Sequence, residues 1–548
     1  MLPAEPPAAL TRSPSRSNDL GGRTLVHSSS SAPPPPAADQ VLNPHRTVSG
    51  PALDDWMKSH PLFARKARGI RLRALRFTSS WFSVTMGTGI CNTLLFDLPF
   101  SSPHPVFRAI GAAFLIGDML LFSAFTFLTI ARYYLYPKIF WAMIKHETHS
   151  LFLGTIPMGF VTIISGIAAS GHEYGLNTLD AALVLYWISV GMSILTAFGV
   201  PYMMYTSHTN VADKMTAAWL LPIVPLVTEA SVGSTFCKLL LEQSPPRTSY
   251  CLTILIASYL QVGIGALLAS AIIVMYLQRL VLHHLPPREV IVSSWLPVGP
   301  IGQAGYALIE LGRVSVKLFP MISSATNKPE LQLLGPSMLG TAVVIGLMLW
   351  GLGIWFAFLA VVSIATQFAT VRHTGEGLNT VFNMGWWAFT FPLGSLCLLT
   401  FSLATVFDSI FFKVCSAIFT FSVLTLWAVV FIPTSIGFFR GTLFPAPCLQ
   451  SLPKEYFDRM APSASASREE INAEGVRGRK GRAGGVAMEE KEKREATDEA
   501  MRREADEVLR REEEEVQAEL GMHVGGGGGS SSSGREEGLP TASRSRSR

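Results

Sequence analysis

The stretch WWAFTFPLGS (Trp386–Ser395) lies inside an apolar run of membrane-spanning length, yet it carries a proline and a glycine near the middle of that run. Pro392 has no backbone N–H to donate and its ring disturbs the preceding turn, so the sequence predicts a kink or a break there. In hydrocarbon such a defect survives only where other helices or a water-lined cavity satisfy the freed backbone groups. The stretch therefore predicts that Phe391 and Pro392 lie at the wall of a pore.

The composition separates a long apolar middle from two polar ends. The chain has 548 residues, of which 49% are hydrophobic and only 15% are charged. Apolar runs follow one another from about Phe77 to Phe438. Runs of about 20 apolar residues match the hydrocarbon thickness of a bilayer. The Pro- and Ser-rich N-terminus lacks the apolar segment of a signal peptide. These features indicate a polytopic membrane protein.

Ten apolar runs predict an all-α fold with ten transmembrane helices. Their approximate bounds are Phe77–Phe96, Val106–Ala131, Leu151–Ser170, Leu179–Met203, Met215–Leu240, Tyr250–Leu277, Val290–Gly312, Leu333–Ala365, Val381–Leu403 and Ser409–Phe431. Lysine and arginine are concentrated in ARKARGIRLRALRF (Ala64–Phe77), just before the first span, and in the connections after the second and sixth spans. By the positive-inside rule this places the N-terminus in the cytoplasm, and an even number of spans places the C-terminus there too.

The odd-numbered spans share a feature that the even-numbered spans lack. The third, fifth, seventh and ninth contain FLGTIPMGF, WLLPIVPLV, WLPVGPIGQAG and WWAFTFPLG, and the first contains WFSVTMGTGI with paired glycines. This alternation predicts five helical hairpins in two layers, with the Pro/Gly helices inside, around an axial channel, and the plain helices facing lipid. The alternative is that proline and glycine are simply commoner in membrane helices than in soluble ones.

The motif centres supply the candidate pore-lining and kink residues. They are Thr85, Gly87, Thr88, Gly89, Thr155, Pro157, Pro222, Pro225, Pro297, Pro300, Thr390 and Pro392. The threonines offer hydroxyl donors, and broken helices offer exposed N–H groups and the positive ends of half-helix dipoles. Such partial charges suit an anion, whose transfer into hydrocarbon is otherwise prohibitive.

Titratable residues near the spans give further candidates. Glu229 on the fifth span and His149, just before the third, are candidate vestibule residues, and His149 titrates near neutrality. Glu310 precedes Arg313 by three residues, which predicts an ion pair near a helix end. Asp118, on an even span, predicts a partnered contact between helices.

At these motifs the chain resembles the tellurite-resistance/dicarboxylate transporter family, which includes slow anion channels. The segments RFTSSWFSVTMGTGI, SLFLGTIPMGF, AAWLLPIVPLV, WLPVGPIGQ and WWAFTFPLGS most resemble its sulfite efflux branch, and the resemblance covers about Arg76 to Phe444. It implies five hairpins around a central pore, a homotrimer, and a pore-plugging phenylalanine on the ninth helix. Carried over, the plug is Phe391, with Phe389 the less favoured candidate.

The resemblance also implies a function, while composition and charge spacing predict the structure of the two ends. The expected function is plasma-membrane transport of small anions, with sulfite efflux first and malate or another dicarboxylate as the alternative; proton coupling stays open. Residues 1–60 are predicted to be a disordered cytoplasmic segment, 61–445 the ten-helix transporter domain, and 446–548 a charged cytoplasmic tail, helical at about 487–521 and otherwise disordered.

Other classes of function find little support in the sequence. No cluster of His, Asp or Cys stands near one membrane face, which argues against a membrane-embedded enzyme, and the six cysteines show no metal-ligand spacing. We therefore expect neither a cofactor nor a metal, and no nucleic-acid partner. The outer connections are too short to form a receptor's binding domain.

Overall fold

A computed structural model describes residues 74–96, 98, 105–173, 178–374, 382–440 and 443, which all belong to one unit. The predicted N-terminal segment 1–60, the tail 446–548 and its helix at about 487–521 lie outside the described residues. The longer helices are α1 (Phe82–Phe96), α2 (Pro105–Leu135), α3 (Pro137–Ile144), α4 (Thr155–Glu173), α5 (Leu179–Thr206), α6 (Val224–Glu242), α7 (Thr248–His283), α8 (Val298–Thr326), α9 (Leu331–Thr374), α10 (Thr390–Phe407) and α11 (Ile410–Arg440). No strand occurs among these residues.

The all-α polytopic fold class is confirmed. Within the described residues, eight stretches are long and apolar enough to cross a membrane. All ten predicted spans coincide with helices, but α1, with only 15 residues, and α8 are not among those eight. The predicted count of ten is therefore not confirmed by length and composition.

Each inner helix is preceded by a short 3₁₀ segment. These segments are Ser79–Trp81, Leu151–Gly154, Ala217–Leu220, Arg288–Trp295 and Met384–Phe389, ahead of α1, α4, α6, α8 and α10. Pro157, Pro225, Pro300 and Pro392 are the second or third residues of their α-helices, and Pro222 and Pro297 lie just before α6 and α8. The first four N–H groups of an α-helix have no partner within the helix, so a proline there removes no hydrogen bond.

This corrects the predicted position of the break. The sequence placed it at Pro392, in the middle of one helix, whereas the structure places a 3₁₀-to-α junction just ahead of it, at Thr390. The outer helices contain Pro201, Pro336 and Pro433, but among the described residues no 3₁₀ segment precedes these helices. The 3₁₀ segment, and not proline alone, therefore separates the two kinds of helix.

The inner helices form a closed ring. Helix α1 contacts α4, α4 contacts α6, α6 contacts α8, α8 contacts α10, and α10 contacts α1. Each of the outer helices α2, α5, α7, α9 and α11 packs across two neighbouring members of this ring. The apolar windows of the inner stretches that qualify as spans are 72–89% buried, against 17–39% for the outer ones. Two layers of helices result, with the outer layer presenting its apolar side chains outward.

Glycines allow the ring members to approach closely. A Cβ built on Gly154 would lie 2.0 Å from the backbone oxygen of Leu221, and one on Gly302 would lie 2.6 Å from the backbone nitrogen of Leu396. Both contacts are with backbone, which cannot move aside as a flexible side chain could. Helix pairs in membranes use small residues for such close packing.

We predict that Gly302→Ala destabilises the protein, by about 1–3 kcal/mol, as expected for overpacking against backbone. The matched control is Gly351→Ala on the outer helix α9, where a Cβ would meet nothing within 4 Å. That change should be neutral or slightly stabilising, since alanine is the better helix former. Thermal unfolding of the detergent-solubilised proteins measures both, and equal midpoints for the two variants would contradict this account of the ring.

Candidate functional site

Two cavities lie along the ring of inner helices. The larger has a volume of 1340 Å³ and receives side chains from the 3₁₀ segments or first turns of all five inner helices. The smaller has a volume of 60 Å³, and its lining, within the part of the chain that the structure describes, comes from α1, α4, α6, α8 and α10. Since both cavities are lined by the whole ring, both lie on its axis.

The order of lining residues is the same along each inner helix and the 3₁₀ segment ahead of it. On α1, Met86 lines the large cavity and Ile90 the small one; at α10, the corresponding residues are Ala388 and Phe391. The same order holds along α4, α6 and α8. On α1, α4, α6 and α8 the residues between the two sets are the Pro/Gly motif centres, and on α10 Pro392 directly follows Phe391. The motifs therefore mark the level at which the two cavities are separated.

Phe391 stands at this level. Its side chain is 1% exposed and lines the small cavity, while Ala388, about one turn earlier, lines the large one. Phe389 lines neither cavity; its ring packs against those of Trp295 and Trp386, with centroids 6.0 Å and 5.9 Å away.

Most of the predicted pore-lining threonines pack between helices instead. Thr155 does line the large cavity. Thr85 donates to the carbonyl of Phe82, and Thr88 accepts from Trp427 Nε1 of the outer helix α11 at 3.0 Å. Thr390 donates to the Trp387 carbonyl. The pore-lining assignment is therefore corrected for these three, since their hydroxyls serve the backbone and the outer layer.

The predicted glycines and prolines also serve contacts between helices. Each of them is buried and lines neither cavity: Gly87, Gly89, Pro157, Pro222, Pro225, Pro297, Pro300 and Pro392. A Cβ on Gly87 would lie 2.4 Å from Thr390 Oγ1, and one on Gly299 would lie 3.7 Å from Pro392. These residues shape the wall between the cavities but do not present their side chains to either.

Sequence reasoning missed the polar lining of the small cavity. It consists of uncharged amide and hydroxyl groups, including Asn92, Thr93, Thr162, Ser165, Thr228, Ser231, Thr235 and Gln303. A signal was present in the sequence, because Thr228, Ser231 and Thr235 recur at helical spacing along one face of α6. Among the described residues, no charged side chain lines this cavity.

The large cavity has charged walls whose formal charges balance. Among the described residues, its lining includes three basic ones, Lys214, Arg279 and Arg288, and three acidic ones, Glu147, Asp213 and Glu289. Arg279 is held in place, since its guanidinium donates to the backbone oxygens of Asp213, at 2.8 Å, and of His284, at 2.5 Å. Side-chain charge alone therefore gives the large cavity no net preference for one sign of ion.

Glu229 lies away from both cavities, which corrects its assignment to a vestibule. It is fully buried on α6, and its Oε1 accepts from Ser189 at 2.5 Å and from Ser193 at 3.0 Å, both on the outer helix α5. Glu310 forms the predicted pair with Arg313, at 2.9 Å. The carboxyl oxygens of Asp118 have no hydrogen-bond partner among the described residues, so its predicted partner is not found there.

His149, the second vestibule candidate, does line the large cavity. Its ring lies 4.8 Å from that of His146, centroid to centroid, and its Nδ1 has no hydrogen-bond partner among the described residues. Burial, together with the neighbouring charges of His146 and Arg132, lowers the pKa of His149 to about 3. The folded protein therefore favours the neutral imidazole.

Comparison with known proteins identifies the family. The family model described as voltage-dependent anion channel (SLAC1) matches residues 76–435. A sulfite efflux pump, SSU1, of Arthroderma benhamiae is 36% identical over 357 residues, covering 65% of this chain and 89% of the relative. An uncharacterized transporter of Methanocaldococcus jannaschii is 28% identical (67% and 96% covered), and a malic acid transport protein of Schizosaccharomyces pombe is 25% identical (62% and 73%).

The chain therefore belongs to the voltage-dependent anion channel family. It is a multi-pass membrane protein of an anion-transporting class, and the predicted resemblance is confirmed. The family match spans all ten predicted helices and the whole described lining of the small cavity.

The lowered pKa of His149 predicts acid destabilisation. A group whose pKa is lower in the folded state contributes stability that is complete above its unfolded value, here 6.5, and is lost as the pH falls toward about 3. We expect the unfolding temperature in detergent to decline with falling pH in this range. In His149→Asn the decline should be shallower. His283→Asn, at an exposed histidine of the same cavity, is the control. Identical pH profiles for wild type and His149→Asn would contradict the prediction.

Proposed function

We propose that this protein exports sulfite across the plasma membrane through the axial path between the two cavities, with Phe391 closing that path. The observation that carries the proposal is the arrangement of two cavities, lined by the same five helices and separated at the level of Phe391. In this proposal both termini are cytoplasmic, so the large cavity opens toward the cytoplasm and the small one leads outward. The assembly is a homotrimer, as the family resemblance implies.

The electrostatics of the path support an anion as the transported species. A bare anion cannot enter hydrocarbon unaided, because its desolvation costs many kcal/mol. The α-helical parts of all five inner helices begin beside the large cavity, at Phe82, Thr155, Val224, Val298 and Thr390. Helix N-termini carry partial positive charge. Because the side-chain charges of the large cavity balance, the positive helix ends give it a preference for an anion.

The neutral lining of the small cavity favours an anion that passes through over one that stays tightly bound. A conducting site must attract an ion enough to admit it and release it soon afterwards. Hydroxyl and amide donors such as Ser165, Thr235 and Asn92 meet both demands. A lysine or arginine in their place would hold a divalent anion tightly, since charge-assisted hydrogen bonds are about twice as strong as neutral ones.

The surroundings of Phe391 support its role as the gate. The ring is buried and belongs to the second residue of α10, directly after the 3₁₀-to-α junction. Pro392 comes next and packs near Gly299 of α8, where a Cβ would be 3.7 Å away. A rotamer change of one ring, or a small shift of the helix start, would join the two cavities.

The choice of sulfite rests on the relatives. Three fungal proteins named sulfite efflux pump are 36% identical to this chain, whereas the malic acid transport protein is 25% identical. Malate uptake is therefore the second candidate. Sulfite and bisulfite differ by one proton, so a link between transport and protons is compatible with this proposal.

We expect the full-length protein, expressed in a sulfite-sensitive cell that lacks its own exporter, to restore growth on sulfite. Sulfite release and malate uptake should be measured side by side in the same cells. Release well above the empty-vector control, with little malate uptake, supports the proposal. Malate uptake without sulfite release would favour the second candidate, and neither flux would overturn both.

We predict that Phe391→Ala raises anion flux, by about tenfold or more, because loss of the ring joins the two cavities. Phe389→Ala is the matched control: it removes the same side chain two residues away, where the ring packs on tryptophans and lines neither cavity. Electrical recording or vesicle flux measures both variants. A Phe391→Ala protein that is folded and no leakier than wild type would rule out this gate.

A further inference from the structure

We infer that the small cavity is an oxyanion-binding site whose principal ligands are the side-chain amides of Asn92 and Gln303. This inference rests on the proposed transport through the axial path, and it names the residues that select the anion. Asn92 belongs to α1 and Gln303 to α8. These helices are not neighbours in the ring, since α10 stands between them on one side and α4 and α6 on the other. The two amides therefore reach the cavity from separate parts of its wall.

Asn92 is a buried polar group with unused hydrogen-bonding capacity. Its side chain is 1% exposed and lines the small cavity, and its Oδ1 has no hydrogen-bond partner among the described residues. Its Nδ2 lies beside Gly166 of α4, where a Cβ would come within 2.6 Å. The glycine leaves room for the amide group in the ring. A buried amide oxygen is normally paired, and rotation about the last bond of the side chain would bring the Nδ2 donors to the side that the unpaired oxygen now occupies.

Gln303 shows the same feature with a further contact. Its side chain is 2% exposed, and its Nε2 donates to Ser231 Oγ of α6 at 2.5 Å. Its Oε1 has no hydrogen-bond partner among the described residues. The Ser231 hydroxyl in turn donates to the carbonyl of Thr228 at 2.8 Å. A short chain of hydrogen bonds thus fixes one end of the Gln303 amide and leaves the other end facing the cavity.

A half-turn of the Gln303 amide would prepare the site for an anion. Rotation about its last bond exchanges the oxygen and the nitrogen, which differ little in size. The Ser231 hydroxyl would then donate to Oε1, and the two N–H groups of Nε2 would face the cavity. The carbonyl of Thr228 would lose only its second hydrogen bond, because it is also a backbone acceptor within α6. An arriving anion therefore gains donors without leaving a buried group unpaired.

The chemistry of the lining defines the class of ligand. Among the described residues, the available groups are two amides and several hydroxyls, with no charged side chain beside them. Donors that approach from α1, α6 and α8 suit an ion with several acceptor oxygens in a compact arrangement. A small oxyanion such as sulfite meets this description better than chloride, which has one acceptor centre. The volume of 60 Å³ favours it over a four-carbon dicarboxylate.

The test replaces each amide by the carboxylate of the same shape, in the full-length protein. Gln303→Glu and Asn92→Asp remove the N–H donors and add a repelling charge, so we expect sulfite flux to fall at least tenfold. The matched control is Gln261→Glu, which places the same change at a buried glutamine of the outer helix α7 that lines neither cavity. That variant should transport as wild type does.

Gln303→Met covers the case in which the charged variants do not fold. It keeps the length of the side chain without donors, and we expect the KM for sulfite to rise about tenfold and the preference for sulfite over chloride to fall. Folded variants at both positions with wild-type KM and selectivity would overturn the site. The proposed function fails separately, if the wild-type protein moves no sulfite. A double variant with Gln303→Glu and Phe391→Ala separates the site from the gate. If its sulfite flux is lower than that of Phe391→Ala alone, the site acts independently of the gate.

Discussion

The structure depends on one constraint: in hydrocarbon, every backbone N–H and C=O needs a partner within the protein. A continuous α-helix is the simplest way to meet this constraint. The inner helices are not continuous, because each begins as a 3₁₀ segment and becomes α-helical only at a residue such as Phe82 or Thr390. The 3₁₀ segments pair N–H groups at these junctions, for example that of Thr390 with the Trp387 carbonyl, but an interrupted helix must still be kept from lipid. The outer helices do so, since each covers the seam between two inner ones. The positions at which the helices are interrupted therefore dictate the two-layered ring.

The same constraint bears on the proposed path for the ion. At the junctions the inner helices begin beside the large cavity, so their positive dipole ends lie next to its balanced side-chain charges. Beyond the junctions the helices are regular, and their polar side chains face the small cavity. The wall between them is built from residues that allow close packing, such as Gly87 against Thr390 and Gly299 against Pro392. The close packing of the inner helices next to their 3₁₀-to-α junctions therefore also forms the wall that separates the two cavities.

Hydropathy and the alternation of Pro/Gly motifs were enough to predict the helical hairpins and the two layers. They could not fix the rotation of each helix about its axis, because that depends on its neighbours. Glu229 is an example: it lies on an inner helix, as predicted, but faces Ser189 and Ser193 of α5 instead of the axis. Gln303 shows the opposite case. It belongs to the WLPVGPIGQ motif and lines the small cavity, but it was not among the predicted site residues. The Pro/Gly motifs identified the interrupted helices but not the position of the interruption.

The junction before α10 also bears on how a single ring could open the path. A 3₁₀ helix advances by about 120° per residue and an α-helix by about 100°, so each residue that changes from one form to the other rotates the two flanking segments by about 20° relative to each other. Six residues, Met384–Phe389, are in the 3₁₀ form directly before α10 begins. Lengthening or shortening this segment by one or two residues would reorient the start of α10, where the Phe391 ring is attached, without displacing the rest of the helix. An interrupted helix can therefore move one side chain at low cost, which a continuous helix packed along its whole length cannot do.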